Sequence, residues 1–127
     1  MQLNTHLNIN TSLCGKVTKL ENNYAEVLLH TTQQMTADSK GLVHGGFIFA
    51  AADYAAMSAV NDPNVVLGSS NLSFVAPVKV GDVLTCKASI ASEKGKKREV
   101  IVCAYVGEKL VFEGSFIAFV LDEHVLS

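Results

Sequence analysis

Three consecutive residues, His44-Gly45-Gly46, and one carboxylate, Asp53, carry the chemistry this chain could do. Glycines at the start of a helix leave backbone N–H groups unpaired, at the positive end of the helix dipole, with no side chain to block a close approach. A polarised carbonyl oxygen suits such a place. Asp53 is the only charge from Gly45 to Val60. A carboxylate buried in apolar surroundings must be paired, hydrogen-bonded or neutralised, and groups perturbed in this way concentrate at functional sites. It can serve as a base or nucleophile, or simply bond a neighbouring strand. Asp38, six residues before His44, is a second acid that either points into the same site or stays in a solvated loop. If it does face Asp53, like-charge repulsion raises a pKa.

The elements that must position these groups follow from the pattern. Gly45 to Val60 is apolar on nearly every face, which predicts a helix inside the protein. Before it, Leu13 to Leu20 and Tyr24 to His30 read as extended, separated by Glu21-Asn22-Asn23. After the break at Asn61-Asp62-Pro63-Asn64, Val65 to Phe74 reads as strand, and Pro77 with Gly81-Asp82 marks the next turn. From Val83 to Ala91, Leu84, Cys86, Ala88 and Ile90 alternate with Thr85, Lys87 and Ser89. Glu93 to Lys97 predicts a hairpin turn, then Arg98 to Val106 and Leu110 to Leu121 complete the strands around a turn at Gly107-Glu108-Lys109. Short connections imply antiparallel neighbours, so the expected class is α+β: an antiparallel sheet wrapped around one long central helix, as a single domain over residues 1–127. One curled sheet leaves part of such a helix bare, so a homodimer or dimer of dimers is expected.

Composition narrows the function classes. A chain of 127 residues with formal charge −2 and 49% apolar residues makes a compact domain and does not invite nucleic acid. Cys14, Cys86 and Cys103 lack C-x-x-C spacing and read as reduced, structural thiols. His6, His30, His44 and His124 show no zinc spacing, so no metal is expected. The first residues lack a signal-peptide pattern and an acid interrupts the one long apolar stretch, giving an expected cytoplasmic location without a membrane span. Lys94, Lys96, Lys97 and Arg98 either attract phosphates or keep a hairpin tip soluble.

The run His44-Gly45-Gly46 with Ala52-Asp53 and Ala55-Ala56, followed by Asn71-Leu72-Ser73-Phe74-Val75-Ala76-Pro77-Val78-Lys79-Val80-Gly81-Asp82, resembles the hotdog-fold acyl-CoA thioesterases of the phenylacetate-pathway type. The resemblance extends over roughly residues 12–121. It implies a hotdog fold, a site across a dimer interface, and an acyl-CoA ligand, with coenzyme A as part of the substrate and no separate cofactor. In that reading Asp53 is general base or nucleophile, Gly45 donates its N–H to the carbonyl, and His44 shapes the turn or hydrogen-bonds nearby. Gly46, Ser69, Ser70 and Asn71 contact substrate. Within one chain Gly45 and Asp53 stand roughly 10–12 Å apart along the helix, and the resemblance implies that the acid of one subunit meets the glycine turn of the other. Asp38 stands where many relatives carry Asn, and Leu67 where they often carry Thr or Ser, a contact that is either missing here or supplied by Ser69 or Ser70. The alternative implied function is a non-catalytic acyl-CoA binder or sensor regulating lipid metabolism or another process through a partner. With no DNA-binding segment expected before the fold, it would act through protein contacts. An acyl-carrier-protein dehydratase fits less well, because its helix-proximal His arrangement is missing.

Overall fold

The computed structural model describes residues 1–127. A single helical turn, α1 (Thr11–Cys14), precedes strands β1 (Lys16–Glu21) and β2 (Tyr24–His30). A 3-10 turn at Gln33–Met35 leads to the long helix α2 (Gly45–Val60), and β3 (Val65–Phe74), β4 (Val83–Lys94), β5 (Lys97–Val106) and β6 (Lys109–Val120) follow. The six strands form one sheet in the order β1-β2-β4-β5-β6-β3, with every neighbouring pair antiparallel. This is the expected hotdog arrangement, with α2 as the filling. No helix is long and apolar enough to cross a membrane.

The helix forms where the pattern placed it, and local chemistry sets both its ends. The His44 side chain accepts from the Gly46 N–H at the start. At the end Asn61 adopts a left-handed conformation and returns its N–H to the Met57 carbonyl. Ala51, Ala52, Ala55, Ala56 and Ala59 are buried, and their small side chains favour helix and let the sheet approach closely. The inward residues of the strands, among them Val27, Leu29, Leu84, Cys86, Val102, Phe112 and Phe116, complete one core. Cys86 is fully buried there, and all three cysteines are free.

Three expectations need correction. At the last hairpin Lys109 pairs with Val106 and the turn is Gly107 and Glu108 alone, so the final strand is Lys109–Val120 and not Leu110 to Leu121. Residues 11–14 are helical because the Asn10 carboxamide accepts from the Ser12 and Leu13 N–H groups, and strand begins only at Lys16. Gly15, at φ 92°, makes the turn between them, where a Cβ would lie 2.7 Å from Val27 Cγ1. The hairpin turn is also shorter than Glu93 to Lys97. Glu93 pairs with Arg98 and Lys94 with Lys97 across the ladder, leaving Gly95 and Lys96 as the loop. Positive φ at Gly95 fits the twist of a two-residue hairpin.

The pattern also failed to show what the first fourteen residues do. They lie as a strap along α2. The Asn61 side chain accepts from the Asn4 N–H at 2.7 Å and donates to the Gln2 carbonyl at 2.9 Å. His6 stacks on Tyr54, with ring centroids 6.1 Å apart. The strap covers part of the helix that a second subunit was expected to cover. Gly46, Phe49, Ala50 and Asp53 still retain exposure, leaving an open stripe along the N-terminal half of α2.

Candidate active site

His44 occupies the N-cap of α2, and its Nδ1 accepts from the Gly46 N–H at 2.8 Å. This bond requires a lone pair on Nδ1, so the neutral ring carries its proton on Nε2. A Cβ on residue 46 would lie 2.8 Å from Nδ1 and 2.9 Å from Cε1. Gly46 is therefore needed to seat the ring, and its N–H is already in use. The Gly45 N–H makes no hydrogen bond within the chain. Of the two glycine donors, Gly45 is the one left for a ligand.

Beside Gly45 lies a groove of about 280 Å³, formed by the loop before α2, the first turn of the helix and the segment from Phe74 to Val78. No charged or polar side chain lines it. Phe74 stands at its edge, half exposed, packed edge-on to Phe112. No local pattern marks this ring's position, which closes one side of the approach to Gly45: a Cβ there would lie 3.2 Å from it.

Asp53 sits two turns along the same helix, ~12 Å from Gly45 by the 1.5 Å rise per residue. It does not line the groove. Its Oδ1 is buried without a hydrogen-bond partner, and burial pushes its pKa from 3.8 up to about 6. Burial is the sole cause, so within the chain no like charge from Asp38 contributes. Sequence reasoning also missed Cys14. Its thiol is raised first by burial and then by the charge of Asp53, which brings the end of α1 close to the carboxylate.

Asp38 is exposed and holds its own loop, with Oδ1 accepting from the Lys40 N–H at 2.9 Å and the Leu42 N–H at 3.2 Å. The trio on β3 is divided by the alternation of the strand. Ser70 pairs with Phe116, whose side chain is in the core, and so faces the helix. Ser69 and Asn71 pair with Ile117 and Ser115 and face the other way. In the basic hairpin, Arg98 meets Glu93 at 2.7 Å and Lys96 meets Asp122 at 2.9 Å. Two of its four cations are thus engaged locally. No group of three His, Cys, Asp or Glu side chains comes together as metal ligands would.

Residues 40–113 match the thioesterase superfamily. The chain belongs to that superfamily. It is 50% identical to an uncharacterized protein from Pyrococcus horikoshii, whose crystal structure superposes with a TM-score of 0.99 over 100% of this chain and 98% of that one. A mutant form of the phenylacetic acid degradation protein PaaI from Thermus thermophilus is 27% identical, with a TM-score of 0.79 over 86% of this chain and 95% of that one. Two longer proteins are also similar to this chain over part of their length. Methylthioribose-1-phosphate isomerase from Aquifex aeolicus is 57% identical over 123 residues, which are 96% of this chain and 27% of that protein. The transcription factor FapR from Caldanaerobacter subterraneus is 35% identical over 99 residues, 78% of this chain and 50% of the factor. The chain therefore spans between about a quarter and a half of these two relatives, and the activities their names describe belong to larger proteins.

Proposed function

We propose that this protein hydrolyses acyl-CoA thioesters, with Asp53 as general base, at a site completed by a second copy of the chain. The observation that carries the reading is the partnerless, half-buried carboxylate of Asp53, whose pKa of about 6 keeps it ionised at neutral pH yet basic enough to take a proton. The thioester oxygen rests on the Gly45 N–H. Asp53 removes a proton from water as its oxygen attacks the carbonyl carbon, and the C–S bond then breaks. The proton on Asp53 passes to the departing thiolate, giving a free acid and coenzyme A. His44 holds the turn through its bond to Gly46 and is not the base.

Gly45 and Asp53 of one chain are too far apart for this, so each must meet its counterpart from another copy. The open stripe of α2 and the free edge of β3 are the surfaces such a copy would cover. Ser70, on the helix side of β3, would face that site. The likeness to FapR favours a second reading, an acyl-CoA-binding regulator that keeps the pocket without turnover.

A panel of acyl-CoAs scored in parallel for hydrolysis and for binding separates the two. Turnover that Asp53→Asn removes, with affinity retained, supports the hydrolase. Tight binding without turnover in the wild type would establish the regulator instead.

A further inference from the structure

We infer that the groove beside Gly45 receives the acyl tail of the substrate, not its thiol arm, and selects neutral, unsubstituted tails of medium length. This rests on Gly45 being the donor to the thioester carbonyl. Gly45 is itself part of the groove wall, so a carbonyl oxygen on its N–H delivers one of its two substituents into the groove. The thiol arm of coenzyme A carries amides and ends in phosphates. Leu42, Ile48, Phe74, Val75, Ala76 and Val78 offer no polar side chain to pair with them, and an amide moved into such a place loses hydrogen bonds to water. A hydrocarbon tail loses nothing and removes the exposed surface of Leu42, Phe74 and Val75 from water.

The size of the groove sets the length. Its 280 Å³ is the space of about nine water molecules at ~30 Å³ each. A methylene fills slightly less than a water, so a tail of about nine or ten carbons occupies the groove and longer ones protrude. Each methylene buried should raise kcat/KM about fourfold until the groove is full. A carboxylate at the far end of the tail would be buried unpaired and should cost at least about a hundredfold.

The test uses straight-chain acyl-CoAs from butyryl to palmitoyl, with glutaryl-CoA as the charged-tail probe, on the wild type and two variants of Val75. This residue is 49% exposed, so the substitutions leave the core alone. Val75→Trp fills the groove and should move the preferred length down by several carbons. Val75→Arg should raise glutaryl-CoA relative to hexanoyl-CoA by about tenfold or more through a new ion pair. Calorimetric affinities for the same series are measured alongside. Hydrolysis with a length and charge profile that neither variant alters would overturn the groove assignment and leave the hydrolase intact. Absence of turnover with affinities that follow the expected profile would overturn only the hydrolase. Neither turnover nor length-dependent affinity would overturn both.

Discussion

At one edge of the sheet, β1 runs six residues and carries Lys16, Lys19 and Glu21. At the other, β3 runs ten residues, Val65 to Phe74, without a charged side chain. Both edges expose unpaired backbone groups, which in water invite another strand. Short length and charge discourage that at β1. Nothing comparable guards β3, and the open stripe of α2, with Phe49 and Asp53, lies on the helix this sheet wraps. On the proposed function the contrast gives the two edges opposite tasks: one is finished within the chain and the other receives a second copy, together with the groups that need one.

The strongest way to break this comparison is to separate Gly45 from Asp53 genetically. Gly45 is the first residue of α2, a position where proline is accepted by helices, and the extended conformation of His44 suits a following proline. Gly45→Pro thus removes the N–H and keeps the helix, with the half-exposed Phe74 ring shifting slightly to admit its Cβ, and Gly45→Ala, which keeps the N–H, controls for that contact. Gly45→Pro and Asp53→Asn should each lower kcat by about a hundredfold or more. Mixed and refolded together, they should recover about a quarter of wild-type activity, since half the pairs are mixed and each has one intact site. Mixtures as inactive as the single variants would mean that the site does not cross subunits.

The next effect concerns the edges directly. Placing lysines at Ser69 and Asn71, on the outer face of β3, sets like charges against each other wherever two copies of the strand pair, at a cost of several kcal/mol. Sedimentation at micromolar concentration should show a shift from dimer to the 13.6 kDa monomer, with activity falling in step. Thr18→Lys on β1 should change neither. Equal effects at the two edges would erase the contrast.

A smaller effect distinguishes the acid on the open stripe from ordinary surface acids. The pKa of Asp53 is raised on folding, from 3.8 to about 6, so the folded state holds this proton more tightly than the unfolded one. That contribution is complete below pH ~4 and is lost as pH rises through about 6. Asp53→Asn should therefore stabilise the protein at pH 8 by up to about 3 kcal/mol, and by little at pH 4, in denaturant melts. A gain of equal size at both values would place the cause elsewhere than in ionisation. The kinetic limb near pH 6 should belong to the same group.

The smallest effect is expected at Asp38. Asn can accept from the same Lys40 and Leu42 N–H groups, so Asp38→Asn should change kcat less than about twofold and leave the acid limb in place. A limb displaced to lower pH would show that Asp38 faces Asp53 across the interface, as like-charge coupling requires.

Much of this was legible in the sequence, and particular residues show why the rest was not. The bounds of α2 could be read because its apolar run ends at Asn61 and Pro63, which serve as cap and breaker. The same break and the approach to Pro77 framed β3. The turn of helix at Thr11–Cys14 is too short to show a period, and its signal was the capping ability of Asn10 alone. The strap depends on bonds from Asn61 to Gln2 and Asn4, more than fifty positions away, and no local pattern reports such pairing. Asp53 and Gly45 were visible as chemistry, whereas Phe74 and Cys14 entered the site only through tertiary packing. Ser69, Ser70 and Asn71 are a different case. Strand alternation alone would have divided them.

The pairing of Asn61 with the strap sets where a fused domain would attach. Gln2 is tied to the residue that ends α2, a helix of sixteen residues and so ~24 Å long, whose other end bears Gly45. Any polypeptide joined ahead of Met1 would leave the fold at the far pole from the acyl groove, without threading past it. Such a geometry makes this fold an easy module to recombine: an added domain need not obstruct ligand entry, and α2 gives a direct path by which a ligand could influence that domain.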